Sequence, residues 1–306
     1  MRQTLTKMVS VLAAGTFAVG LAGCGSSDPL TPADSSGAAD TSTIIVGSAD
    51  FTENVLLAEI YAGALRGAGA EVTTKLRVGT RETLVKALQD GSVSVVPEYS
   101  GNLLAFLDKS ATQTTPEDVY TALSEKAPDG LTVLEQSQAE DSDVLVMKSE
   151  TATQNNIKSI EDLTAKCGEF VLGAAGEWKD RWEAKLKELY GCTFKEIRTT
   201  DAAGPVTVEA LKTDQVQVAN LFTTASAIEE NGFVQLLDPK RMYPAQNIIP
   251  FAREGALTTE TTDALNKVSD ALTTDRLTAL VARVEVDKEN AADVAADFLR
   301  DAGIPA

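Results

Sequence analysis

Thr43-Ile44-Ile45-Val46-Gly47 is a short apolar run with β-branched residues, and beyond the polar Ser48 to Phe51 it gives way to Thr52–Arg66. In that second stretch Leu56, Ile60 and Ala64 recur at helical spacing until Gly67 and Gly69 stop them. The pair reads as a strand followed by a helix, the unit from which α/β folds are assembled. The alternation continues downstream. Strands are expected at 71–78, 93–96, 131–135 and 144–148, with helices at 80–89, 102–107 and 116–126, the last starting at Pro116 as a first-turn proline should. A second series opens at Ser159-Ile160-Glu161-Asp162, a cap followed by first-turn acids. It runs through strands at 170–173, 194–198, 216–221 and 233–237 with helices between them, and the segment 247–252 leads into a mostly helical tail. The pattern predicts parallel sheets covered by helices, in two sets, with the chain crossing near 148 and again near 250. The expected division is residues 43–148 with 250–306 in a first lobe and 149–249 in a second.

Upstream of this body, Arg2 and Lys7 precede an apolar stretch from Met8 to Gly23, and Leu21-Ala22-Gly23-Cys24 closes it. Charged start, short apolar run and small residues before the cut describe a signal peptide over residues 1–23. The run is shorter than the roughly 20 residues of a spanning helix. LAGC resembles the bacterial lipobox, which implies lipidation of Cys24 and residence on the outer face of the cytoplasmic membrane. Residues 24–42 are Ser, Asp, Ala, Gly, Thr and Pro with almost nothing large, the composition of a flexible tether.

The net charge is −18, and loss of Arg2 and Lys7 with the leader would make the chain more acidic still. Nucleic acid and anionic lipid surfaces are poor partners for it. Three cysteines occur. With Cys24 assigned to the anchor, Cys167 and Cys192 form an even pair in an exported body and read as a disulfide, two separate thiols being the alternative. There is no histidine, which removes the commonest general base and transition-metal ligand. No GxSxG elbow, Walker A loop or helix-opening GxGxxG is present either. No metal or cofactor is expected, and an enzyme is the weaker reading.

Five loops fall in order along the body: Gly47-Ser48-Ala49-Asp50-Phe51-Thr52-Glu53, Val96-Pro97-Glu98-Tyr99-Ser100-Gly101, Tyr190-Gly191, Leu221-Phe222-Thr223-Thr224, and Tyr243-Pro244-Ala245-Gln246-Asn247 with Pro250 and Arg253. They resemble the GSKxFTE, PEYTG, LEKxYG, AYSTD and FPPYxxxPxxR segments of glycine betaine, choline and proline type substrate-binding proteins of osmoprotectant ABC importers. The resemblance implies a two-lobed, type II periplasmic-binding-protein-like α/β fold that closes on a small solute. It implies membrane subunits and a cytoplasmic ATPase as partners, a monomer, and membrane contact through the lipid anchor alone. A sensor or adhesion lipoprotein on the same fold is the third reading.

In that family a quaternary ammonium sits among tyrosines, because a cation without N–H donors is held by aromatic faces and oxygens. The resemblance makes Tyr99 the retained tyrosine and Asp141 the retained acid, with Phe222 where a tyrosine is usual. Asp143 and Gln246 stand where two further tyrosines would be. Ala49 replaces a lysine, and Arg181, in Glu177-Trp178-Lys179-Asp180-Arg181, stands for an arginine. Asp50, Phe51, Asn102, Trp178, Thr223 and Tyr243 complete the expected site. Each has an ordinary reading too: aromatic residues pack cores, and charged ones face water. Glu98 reads as an acceptor that fixes its loop. A polar wall of Asp141, Asp143 and Gln246 favours a ligand with hydroxyl or N–H donors over a bare trimethylammonium, so weak betaine binding is expected.

Overall fold

The computed structural model describes residues 43–306. The leader, Cys24 and the tether lie outside the described residues. Strands β1 (Thr43–Ala49), β2 (Glu71–Gly79), β3 (Val95–Tyr99), β4 (Leu131–Val133) and β10 (Ile248–Arg253) make one sheet in the order β2-β1-β3-β10-β4. Strands β5 (Asp143–Lys148), β6 (Val171–Ala174), β7 (Glu196–Thr199), β8 (Val218–Phe222) and β9 (Phe233–Gln235) make the other, β7-β6-β8-β5-β9. Each sheet carries apolar clusters built with the helices that cover it, the layered solution that buries strands on both faces.

Two expectations need correction. The sheets are mixed, not parallel: β10 runs antiparallel to β3 and β4, and β5 antiparallel to β8 and β9. Helical crossovers bring strands back parallel, but β5 and β10 arrive by direct crossing, so each enters its sheet from the opposite end. The crossing also comes earlier than 148. The strand 143–148, assigned to the first lobe from sequence, pairs within the second sheet, and all of β10 pairs within the first although the expected boundary fell inside it.

The helix Thr52–Gly67 lies at the centre of the first lobe. Leu56, Leu57, Ile60, Tyr61 and Leu65 are buried on more than one side, because the C-terminal helix Ala291–Asp301 packs on the face turned away from the sheet. Gly67 is required there: a Cβ would come within 2.1 Å of the Pro305 backbone. In the second lobe, Cys167 and Cys192 are disulfide-bonded with Cα atoms 5.6 Å apart. Gly191, in the left-handed region at φ 68, ends the helix Gly176–Tyr190 and turns the chain toward that bond. Closing a 25-residue loop stabilises by about 3 kcal/mol on the chain-entropy account.

Candidate ligand cleft

The carboxyl ends of β1, β2 and β3 in one sheet face those of β7 and β8 in the other, the place where open α/β sheets present ligands. Between them is a cleft of about 830 Å³. The first-lobe wall carries Asp50, Phe51, Glu53, Arg81, Glu98, Tyr99 and Asn102; the second-lobe wall carries Ala202 to Pro205, Phe222, Thr224 and Ala225. Asp141 comes from the crossing segment, and Glu285 from the helix Thr274–Glu285.

Phe51 and Phe222 are two of the few large apolar side chains left open to solvent, at 43% and 36%, and they stand on opposite walls. Phe51 lies against Tyr99 with ring centroids 5.9 Å apart. Solvent-facing aromatic rings on both sides of one cleft are surface a ligand would cover.

Behind the rings is an acidic chain. The Tyr99 hydroxyl donates to Glu53 Oε1 at 2.7 Å, and Thr224 Oγ1, close to the same carboxyl, donates to Asp141 Oδ1 at 2.8 Å. Burial pushes Glu53 up to about 8, and the Asp141 charge adds to the rise. Burial likewise pushes Asp141 up to about 6, against the opposing hydrogen bonds from Thr224, with Asp143 and Glu285 raising it further. Burial dominates because a carboxylate taken from water without a cation favours its neutral form. At the other corner Glu98, only 3% exposed, receives three short contacts from Arg81 at 2.9–3.0 Å and the backbone N–H of Tyr99 at 3.1 Å. It fixes the loop, as expected, but as half of an ion pair.

The expected residues divide. Asp50, Phe51, Tyr99, Asn102, Asp141 and Phe222 line the cleft, Asp50 being paired with Arg77 at 3.0 Å. Trp178, Tyr243, Asp143, Gln246, Thr223 and Arg181 do not. Trp178 and Tyr243 are buried in the second-lobe core, where the indole Nε1 donates to the Tyr243 hydroxyl at 2.8 Å and Tyr243 meets Trp182 edge-on. Asp143 accepts from Asn220 Nδ2 at 3.1 Å. Gln246 is buried and accepts the backbone N–H of Asn102 at 2.9 Å. Thr223 ties the crossing segment, donating to the Glu140 carbonyl and accepting from the Ser142 N–H, both at 3.0 Å. Arg181 stacks on Trp182 and donates across to Asn102 Oδ1 at 3.2 Å, a bond between the lobes. Two of the three members of the expected polar wall, Asp143 and Gln246, are therefore engaged outside the residues that line the cleft. Glu53, Thr224, Glu285, Arg81 and the Ala202–Pro205 turn were not anticipated as wall residues. The alternating register of β5 and the acid within the GSADFTE loop were the available signals for Asp143 and Glu53. No cluster of three or more His, Cys, Asp or Glu placed to hold a metal occurs among the described residues.

Comparison with known proteins agrees with this architecture. A glycine-betaine-binding protein of Pseudomonas aeruginosa is 27% identical over 282 residues, covering 87% of this chain and 89% of its own. The glycine betaine-binding protein YehZ of Escherichia coli is 26% identical over 278 residues, covering 86% and 91%. The solved structure of a glycine betaine/carnitine/choline ABC transporter protein superposes with a TM-score of 0.79 at 20% identity, over 85% of this chain and 99% of that one. Apo YehZ gives 0.70 at 26% identity, over 86% and 99%. The profile of the OpuAC family spans residues 42–301, and the chain belongs to that family, the substrate-binding domain of ABC-type glycine betaine transport systems.

Proposed function

We propose that this protein is the extracytoplasmic receptor of an ABC importer, lipid-anchored at Cys24, and that it captures a small ammonium solute by closing its two lobes. Its work is binding and delivery, not catalysis. The observation that carries the reading is the cleft itself: Phe51 with Tyr99 on one wall, Phe222 on the other, and Glu53 with Asp141 behind them. Aromatic faces hold a cation that has no N–H to donate, and desolvated contacts of this kind contribute up to about 2 kcal/mol each. The carboxylates supply negative charge in place of the hydration that such a cation leaves behind in water.

Closure follows from the same geometry. A solute between Phe51 and Phe222 touches both lobes only when they approach, so its binding energy shifts the population toward the closed form. The two crossing segments are the natural hinge: they lie side by side, with the Asp141 N–H on the Gln246 carbonyl at 3.2 Å and the Ile248 N–H on the Ala139 carbonyl at 3.0 Å. Membrane subunits and an ATPase would then read the closed form.

Calorimetry with choline, carnitine, glycine betaine and proline tests the reading. Saturable binding of at least one ammonium solute, lost in Tyr99→Ala, is the expected result; a panel without any binder would overturn it. For the anchor, mass spectrometry of membrane material should find a lipidated N-terminal Cys24, and Cys24→Ser should release the protein.

A further inference from the structure

The cleft wall is out of charge balance. Asp50, Glu53, Glu98, Asp141 and Glu285 are its acids and Arg81 its one base. Arg81 is engaged by Glu98 through Nε and Nη2, and nearby Arg77 is engaged by Asp50. A ligand carboxylate would find no uncommitted guanidinium on this wall. Helix starts on this wall are largely answered within the chain. The helix Arg81–Gln89 carries Glu82 in its first turn, the helix Ser100–Leu107 has its Ser100 and Asn102 N–H groups on the Asn247 carbonyl and Gln246 Oε1 at 3.0 and 2.9 Å, and the start of the helix Pro205–Lys212 is closed by Asp201, which accepts the Val206 and Thr207 N–H groups at 3.0 and 2.9 Å. A positive group, by contrast, would meet the carboxyl groups of Glu53 and Asp141, neither of which is paired with a cation among the described residues.

We propose, building on the reading of this cleft as an ammonium site, that its preferred solute is a net cation without a carboxylate, and that capture expels a proton from the Tyr99–Glu53–Thr224–Asp141 chain. Glu53 is the donor: its carboxyl O–H bond breaks, the carboxylate stays facing the bound cation, and the proton leaves to solvent. The order of events on this chain follows from its surroundings. The charged groups that bear on Glu53, Asp141 from the crossing segment and Glu285 from the helix Thr274–Glu285, add to burial in disfavouring its ionisation, and the hydrogen bonds from Thr224 and from the Tyr99 hydroxyl at the end of β3 oppose them without overcoming burial. The more distant Asp143 acts on Asp141 in the same sense, itself partly relieved by Arg181, and Lys288 partly relieves Glu285. With no histidine in the chain, no other side chain of ordinary acidity takes up this proton near neutrality. In the free protein Glu53 is protonated at neutral pH, and an arriving positive charge reverses the balance that keeps it so.

The test is calorimetric titration of the wild-type protein with choline and with glycine betaine, in buffers of different ionisation enthalpy, from about pH 6 to about pH 8. Choline should bind with net proton release, its Kd tightening roughly tenfold across that range, while betaine, which carries its own carboxylate, should bind at least about tenfold more weakly. Glu53→Gln should bind choline more weakly than the wild type at about pH 8, without proton release and with a flat pH profile. Choline binding with no proton exchange and a constant Kd overturns the proposal while leaving the ammonium site standing, as does betaine binding as tightly as choline. Unchanged proton release in Glu53→Gln overturns it as well, and if that variant does not fold the wild-type proton count decides alone. Failure of every ammonium solute to bind would bring down the site reading and this proposal together.

Discussion

Glu98 and Glu53 lie in the same cleft, 3% and 5% exposed, and are held in opposite ways. Glu98 has a guanidinium on it through three contacts and a backbone N–H besides, so its charge is answered inside the protein. Glu53 has a tyrosine hydroxyl, a nearby threonine and a second acid. Hydrogen bonds lower the cost of its burial but bring no counter-charge, so the neutral form is favoured until a cation arrives. One corner of the cleft has its charge answered, and the other, on the proposed reading, is completed by what binds. A solute site can thus be rigid where the loops must hold their shape and electrostatically incomplete where the ligand is to be recognised.

The largest effect should come from unmaking the finished corner. Arg81→Met leaves Glu98 buried without its partner, and should cost about 3 to 5 kcal/mol in denaturant unfolding; a loss under about 1 kcal/mol would mean the two corners are not different in kind. The incomplete corner should show itself in the pH dependence of the free protein. Because Glu53 stands at about 8 when folded against an ordinary 4.5, and Asp141 at about 6 against 3.8, the folded chain holds more protons than the unfolded one in between. Stability must therefore fall as pH rises from about 5 to about 8, by on the order of 3 kcal/mol, and Glu53→Gln should remove most of the slope. Thermal unfolding across that range checks it, and a wild-type curve that rises would reverse the comparison. Phe222→Ala, which strips one aromatic face, should weaken choline binding by about 1 kcal/mol, roughly fivefold in Kd. The smallest effect belongs to Asp143→Asn. Its carboxyl is occupied by Asn220 away from the cleft wall, so choline affinity should change by less than about twofold. A large loss there would place the wall deeper in the second lobe than the geometry does.

Much of this was legible in the residues. The change of period between Thr43–Gly47 and Thr52–Arg66 marks the first strand and helix, and turn-forming residues mark most of the others. Tyr99 and Phe222 end strands whose loops open on a cleft, so both could be placed from sequence. What was not legible depends on which way a side chain turns once strands pair across large separations. β5 joins the second sheet because Asp143 to Val146 align with Phe222 back to Ala219, a pairing no local pattern announces. Trp178, in the first turn of the helix Gly176–Tyr190, and Tyr243 were expected at the ligand from resemblance, yet they satisfy one another inside the core. Glu53 was hidden by its position: an acid in a first helical turn ordinarily serves the helix dipole, and only burial beside Asp141 gives it another role. The small residues from Ala202 to Gly204 carry no chemical signature at all.

The sheet of the lobe that carries the disulfide is made from one unbroken stretch, β5 to β9, while the other waits for the chain to return. Until β10 arrives, β3 and β4 have no strand between them, and until Ala291–Asp301 arrives the helix Thr52–Gly67 is uncovered on its outer face. As the chain emerges from its N-terminus, the half made first is thus the half completed last. A polypeptide halted short of its final helices would present a closed, cross-linked second lobe beside an adhesive first one, so the end of the sequence sets how long the beginning needs shelter.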